Sequence, residues 1–229
     1  MPERRVIQAE ALAYLESHPA SPRTSVITSL PDLSETPALG LDGWRAWFVD
    51  AVRRVVTWVP LEGVAIFYQS DIRQGGFLVD KSSLVFRGAE AAGALPLWHK
   101  IVCRRPSGTL AFGRPTYSHM ICVERSGHPR THWKSPGPDV LPDSGFMPWS
   151  RAMGVEACRV ALAFVRANTA TELVVDPFCG HGTVLATANA MGFHALGVDT
   201  GAKRCRAARA LTLDDELRPV KPESKGAPD

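Results

Sequence analysis

The sequence predicts an α/β protein, a mostly parallel sheet flanked by helices, and three observations carry that expectation. Short apolar stretches alternate with helical ones along most of the chain, the pattern of strands joined by helical crossovers. One apolar stretch, Glu172-Leu-Val-Val175, runs through Asp176 into a turn holding Gly180 and Gly182, and a helical segment opens at Thr183. The next, His194-Ala-Leu-Gly-Val198, stops at Asp199, 23 residues after Asp176. Ligands of such sheets bind outside the carboxyl ends of the strands, so the two acids mark a candidate site.

Taken in order, Arg5–Gln8 reads as a short strand and Ala9 to Ser17 as a helix with Leu12 and Leu15 on one face. Ser25–Thr28 reads as a strand that ends in the loop Ser29-Leu-Pro-Asp-Leu-Ser-Glu35. Asp42 reads as the N-cap of a helix reaching Val59, because Trp44, Phe48, Val52, Val55 and Val56 recur at helical spacing. Gly63–Tyr68 reads as a buried strand followed by a polar loop from Gln69 to Gly76. Lys81–Ala92 reads as a helix, and Leu97–Arg104 and Thr116–Glu124 as a pair of strands. Residues 125–148 hold Pro129, Pro136, Pro138, Pro142 and Pro148, which predicts a long loop. Helices are expected at Ser150–Asn168, Thr183–Met191 and Ala202–Leu213, and a disordered tail over residues 216–229.

A chain of 229 residues suits one domain, here 1–215. No apolar run is long enough to cross a bilayer, and Met-Pro-Glu-Arg-Arg lacks the apolar core of a secretory signal. The expectation is therefore a cytoplasmic protein without a membrane partner. Five cysteines, Cys103, Cys122, Cys158, Cys179 and Cys205, are an odd, scattered set that fits free thiols rather than a disulfide framework. Cys103, Cys122, His128 and His132 match no usual zinc spacing, so no metal is expected. Between Trp98 and Lys134 lie seven lysines and arginines, among them Lys100, Arg104, Arg105 and Arg114, against the single acid Glu124. Such a run is either a solvated basic face or a phosphate-contacting surface.

The turn after Asp176 has the geometry of a phosphate loop without its chemistry. Glycines allow close backbone approach, and a helix start offers free amide donors. Leu185, however, stands where a third glycine of a dinucleotide loop belongs, and no phosphate lysine follows. Asp199 at a second strand end suits the hydroxyls of a ribose, and Asp176 suits a cationic amino group. A ribose and an ammonium group describe S-adenosylmethionine better than a dinucleotide.

Asp176-Pro-Phe-Cys-Gly-His-Gly-Thr183 resembles the cofactor motif of the amino-group DNA and RNA methyltransferases (N4-cytosine and N6-adenine types), Asp-Pro-Phe-x-Gly-x-Gly-Thr. The resemblance extends over roughly residues 5 to 212 and is weakest in the middle. It implies a Rossmann-like class I methyltransferase fold, S-adenosylmethionine as cofactor, and cofactor contacts at Glu10, Asp176, Phe178, Gly180, Gly182, Thr183 and Asp199. The order, catalytic loop first and cofactor loop last, resembles that of circularly permuted members. On this reading residues 24–103 form the catalytic-loop half, 104–148 a target-recognition insertion, and 149–213 the cofactor half, with Trp149, Met153 and Gly154 bordering the cofactor.

Family members carry Asp/Asn/Ser-Pro-Pro-aromatic in the catalytic loop, where this chain has Ser29-Leu30-Pro31-Asp32. In the family, the first side chain and the next carbonyl accept both hydrogens of an exocyclic amine, and the aromatic stacks on the extruded base. Ser29 and the Leu30 carbonyl preserve the acceptors. The aromatic is replaced by Asp32, read either as a general base or as a turn residue. Catalytic roles are expected at Ser29, Pro31 and Asp32. Tyr68, Gln69 and Asp71, Lys100, Arg104, Arg105 and Arg114, with the aromatics Tyr117 and Trp133, are candidate substrate contacts. The loop has no cysteine after its proline, which argues against covalent chemistry at a pyrimidine carbon. The expected partner is nucleic acid, with a lean to structured RNA over DNA. A small-molecule or protein amine as substrate and a non-catalytic RNA-binding module are the alternatives.

Overall fold

The computed structural model describes residues 2–126, 134, 137–149, 151–214 and 216–220. In chain order the elements are β1 (Arg4–Gln8), α1 (Ala11–Ser17), β2 (Thr24–Thr28), α2 (Gly40–Trp58), β3 (Ala65–Gln69), β4 (Ile72–Gln74), β5 (Phe77–Val79) and α3 (Lys81–Ala91). They continue with β6 (Leu95–Cys103), β7 (Tyr117–Glu124), β8 (Val140–Leu141), α4 (Val155–Asn168), β9 (Leu173–Asp176), α5 (Thr183–Ala190), β10 (His194–Asp199) and α6 (Ala202–Ala210).

Eight strands form one sheet in the order β1-β10-β9-β2-β3-β7-β6-β8. The five from β1 to β3 are parallel, and β7 runs antiparallel to both β3 and β6. Every residue of β2 and β3 is buried, because helices cover both faces of the sheet. One face packs on Leu12 and Leu15 of α1, Trp44, Phe48, Val52 and Val55 of α2, and Leu84 and Val85 of α3. The other packs on Ala157, Cys158, Ala161 and Leu162 of α4, Leu185 and Ala188 of α5, and Cys205 and Ala208 of α6. Between β9 and β2 the winding reverses: the chain leaves β9 for β10 on one side and leaves β2 for β3 on the other. That seam is a topological switch point, where the connecting loops part and leave a crevice.

Several boundaries depart from the sequence reading for local reasons. α2 starts at Gly40, so Asp42 lies in its first turn rather than capping it, 3.6 Å from Arg45. The segment 69–76 is not an open loop: β4 and β5 form a hairpin whose turn, Gly75 and Gly76, takes positive φ at both positions (58° and 83°), as tight hairpins require. α4 starts at Val155 rather than Ser150, which lies outside the described residues. Its first-turn amides Glu156 N and Ala157 N donate to the Ser144 carbonyl, and a Cβ on Gly154 would sit 2.0 Å from that same oxygen. Within the long loop, β8 pairs with β6. The first residues of the expected tail are ordered by a bridge from Leu213 to Pro219 and by the Val220 amide donating to the Thr212 carbonyl. His128, His132 and Trp133 lie outside the described residues. No helix among the described residues is long and apolar enough to cross a membrane.

Phe48 is fully buried between α2 and the sheet. Phe48→Ala is expected to lower the unfolding free energy by about 3–5 kcal/mol, measured by urea denaturation.

Candidate active site

The carboxyl ends of β1, β10, β9 and β2 open into one cavity of about 550 Å³, within the range of small-ligand sites. Its lining includes Glu10, Ser29, Leu30, Pro31, Asp176, Phe178, Gly180, Thr183 and Asp199. Residues from the two ends of the sequence thus meet as the sheet order requires, since β2 and β9 are neighbours.

Asp176 is the hub. It is buried, and its Oδ1 accepts hydrogen bonds from Thr28 Oγ1 (2.7 Å) and from the Phe178 amide (3.1 Å). Burial, together with the nearby charge of Asp199, pushes its carboxyl up to about 7 despite these donors. Both donors address Oδ1, which leaves Oδ2 for a cationic ligand group. Asp199, at the end of β10, accepts from the Gly180 amide at Oδ2 (3.2 Å), and from the Gly201 amide (2.6 Å) and Arg204 Nε (2.7 Å) at Oδ1. Three of the roughly four acceptor directions of a carboxylate are used, and one remains for a ligand hydroxyl.

The turn between β9 and α5 is shaped by its glycines. Gly180 and Gly182 both have positive φ (51° and 82°), and a Cβ on Gly182 would lie 2.7 Å from Ala208 of α6. Gly182 therefore serves packing behind the cavity rather than its wall. Glu10 caps α1, with Oε1 accepting from Leu12 N and Oε2 from Ala13 N. Its carboxylate is exposed at the cavity rim.

Sequence reasoning missed part of the lining. Trp47 and Phe178 meet edge to face with centroids 6.1 Å apart, and Trp149 and His181 lie 5.1 Å apart. All four rings line the cavity, which gives it two aromatic walls for planar ligand groups. Arg151, Arg204, Glu35 and Thr36 also line it. Trp47 had a faint signal, since it falls off the apolar stripe of α2 defined by Trp44, Phe48 and Val55. Trp149 and Met153 line the cavity, while Gly154 fits closely against Ser144.

Asp32 is turned away from Ser29. Its carboxylate pairs with Lys81 Nζ and lies 3.6 Å from Arg114, and it opens onto a second cavity rather than the first. Lys81 is 3 % exposed and lies 5.6 Å from the centroid of the Trp44 ring. Burial pushes its amine below the usual lysine range, opposed by Asp32. The loop residue expected as a base is thus held in an ion pair at the foot of α3.

The expected substrate contacts divide. Gln69 ends the buried strand β3 opposite His119, and Asp71 is buried. Asp71 accepts from the Lys81 amide (2.8 Å) and pairs with His119 Nε2 (3.0 Å), whose Nδ1 in turn lies 3.0 Å from His99 Nε2. Tyr68 is buried too, and Tyr117 packs edge to face on His119. Asp71, Asp80 and His119 bring ligand-type atoms within 4.8 Å of one another, and all three residues already hydrogen-bond within the protein. Lys100 is 1 % exposed, with Nζ donating to the carbonyls of Gly137 (3.3 Å) and Pro138 (3.0 Å). It fastens a loop and is not presented to phosphate, because β6 turns it inward. Arg104 is half-buried beside Ser70, while Arg105 and Arg114 are exposed. Burial holds the Cys158 and Cys179 thiols far above their usual range, so the one cysteine lining the cavity, Cys179, stays protonated and is a poor nucleophile.

No protein-family model matches the chain, and no curated protein matches it in sequence. Solved structures do. TTHA0409 of Thermus thermophilus, described as a candidate DNA modification methylase and solved with S-adenosyl-L-methionine, is 18% identical at a TM-score of 0.68, covering 90% of this chain and 92% of that one. PvuII DNA methyltransferase (cytosine-N4-specific) is 14% identical at a TM-score of 0.71, covering 91% and 86%. The M1.HpyAVI–SAM complex is 12% identical at a TM-score of 0.59, covering 90% and 98%.

Two consequences are measurable. Asp176 has a folded-state pKa above its unfolded value, so its contribution to stability is fully present below about pH 4 and is lost as pH rises through about 7. Asp176→Asn is expected to remove that dependence, so that the variant gains about 1–3 kcal/mol on the wild type between pH 5 and 8, read from denaturation curves. Asp32→Ala leaves Lys81 buried and unpaired, and an unfolding free energy about 3 kcal/mol lower is expected. From its sheet order and the loops at its switch point, the chain has the α/β fold of these methyltransferase structures.

Proposed function

We propose that this chain is an S-adenosylmethionine-dependent methyltransferase acting on an amino nitrogen of a DNA base. The observation that carries the reading is the single cavity in which Ser29 and Leu30 of one strand end face Asp176 and Asp199 of the neighbouring ones. The residues fit the cofactor. Asp176 suits the ammonium of its methionine part, Asp199 the ribose, and the ring pairs Trp47–Phe178 and Trp149–His181 suit planar groups such as adenine. Glu10 at the rim and Thr183 and Gly180 at the turn complete the wall. The bound cofactor supplies an electrophilic methyl on a sulfonium.

The chain's own residues address the acceptor. An aryl amine is a weak nucleophile because its lone pair is delocalised into the ring. Ser29 Oγ and the Leu30 carbonyl, accepting one hydrogen each, localise that pair on nitrogen. Pro31 stiffens the loop, and the proton shed by the amine leaves to water at the mouth, with the Ser29 hydroxyl able to relay it by passing its own proton on. Asp32, tied to Lys81, anchors the loop on α3. A neutral Cys179 fits direct transfer rather than a covalent thiolate route.

DNA is preferred to RNA because two of the similar structures named above, TTHA0409 and PvuII methyltransferase, are described as DNA enzymes, and this replaces the lean to RNA drawn from the sequence. The chain order, with β2 and its loop before β9 and its loop, supports a permuted arrangement. Residues 104–148, which carry exposed Arg105 and Arg114, are assigned to target contact.

Incubation with methyl-labelled cofactor is expected to label genomic DNA and neither total RNA nor small-molecule extract. Ser29→Ala is expected to lower the rate about 100-fold with cofactor affinity unchanged. Label in RNA alone would reverse the choice of nucleic acid, and label in none would refute the enzyme.

A further inference from the structure

The second cavity, about 610 Å³, lies across the catalytic loop from the first. Its lining comes from residues 32–41 on one side, from Ile72, Arg73 and Gln74 of β4 on another, and from Phe112, Gly113 and Arg114 of the β6–β7 connection. Consecutive residues of the loop open onto the two cavities, Pro31 onto the first and Asp32 onto the second. Ser29 and Leu30, which hold the acceptor amine, line only the first. Whatever occupies the second cavity is therefore next to the target rather than the target itself.

The lining specifies the chemistry of that neighbour. Its charged residues are Asp32, Arg73 and Arg114, and Asp32 is already neutralised by buried Lys81. The remaining balance is positive and calls for an anion. Phe112 is 95 % exposed at the edge of this cavity, and Leu110 two residues earlier is 85 % exposed. An aromatic standing free beside two arginines is the combination that takes a base on its face and a phosphate on its flank. Within the DNA of the proposed reaction, the unit both planar and anionic is a nucleotide.

We infer that the second cavity is a subsite for a nucleotide flanking the methylated base, with its base stacked on Phe112 and its phosphate held by Arg73 and Arg114. This rests on the DNA methyltransferase reading and adds a specificity contact to it. The catalytic loop has lost its stacking aromatic to Asp32, and Phe112 supplies an aromatic surface on the other side of the same loop. Because Arg114 also lies 3.6 Å from Asp32, a phosphate there competes with the loop's own carboxylate. Occupancy of the flank is thus felt at the residue that follows Pro31.

The test is binding of fluorescein-labelled single-stranded DNA to the full chain, read by anisotropy across a salt series. Phe112→Ala is expected to weaken binding about tenfold without changing the slope of log affinity against log salt. Phe112→Trp should restore it. Arg73→Ala is expected to reduce that slope by about one unit. Since Phe112 is exposed, melting temperature and cofactor affinity should be unchanged in both Phe112 variants. Photo-crosslinking with iodouracil-substituted DNA should map to Phe112. DNA affinity within twofold of wild type for Phe112→Ala, or crosslinks confined to other loops, would overturn the subsite while leaving methylation of DNA intact. Failure of the wild-type protein to bind or methylate any DNA would overturn the underlying reading and the subsite with it.

Discussion

The hydrogen bond from Thr28 to Asp176 joins residues 148 apart in sequence and ties together the tips of the two strands that flank the switch point. It is made by a carboxyl group in an expensive place. Burial disfavours its charge, the Asp199 carboxylate adds to that cost, and one hydroxyl and one amide offset only part of it. Such a group is tolerated where a cation arriving from outside is the missing partner. Much else follows from the position of this pair. The Ser29-Leu-Pro loop leaves directly after Thr28, the glycine turn leaves directly after Asp176, and the cavity is the space between them.

The residues around the cavity are arranged so that these two loops hold their shape. Gly182 packs against α6, and Asp199 binds the amide of Gly180 from the next strand, so the turn is fixed from two sides. The Ser29–Asp32 loop is fixed from beneath by the Asp32–Lys81 pair, and Lys81 is fixed in turn by its backbone amide, which donates a hydrogen bond to Asp71. Asp71 continues through His119 to His99. This chain of polar groups, buried as far as His119 and exposed at His99, belongs to the framework rather than to the chemistry, because none of its members lines the first cavity.

What the sequence made legible was whatever depends on short spacing. The strand–turn–helix at Asp176 and the second acid at Asp199 were visible because glycine, acid and apolar residues recur within a few positions. The apolar stripe of α2 was visible from its period. Roles that depend on long-range pairing were not. Asp32 looked like a candidate base because nothing local reveals Lys81, 49 residues away. Lys100 looked like a phosphate ligand because its loop carbonyls at 137 and 138 come from across the fold. Gln69 and Asp71 looked like loop residues because the groups they meet, His119 of β7 and the Lys81 amide of α3, come from elsewhere in the chain. Trp47 and His181 gained meaning only when the sheet brought α2 and the glycine turn to one cavity.

In the proposed enzyme the two strand-end acids grip opposite ends of one sulfonium nucleoside. The most direct test is the crystal structure of the protein with S-adenosylhomocysteine. The expected result is a ligand amino group at Asp176 and a ribose hydroxyl at Asp199, with its sulfur facing Ser29. A ligand bound elsewhere, or a phosphate group seated on the glycine turn, would contradict it.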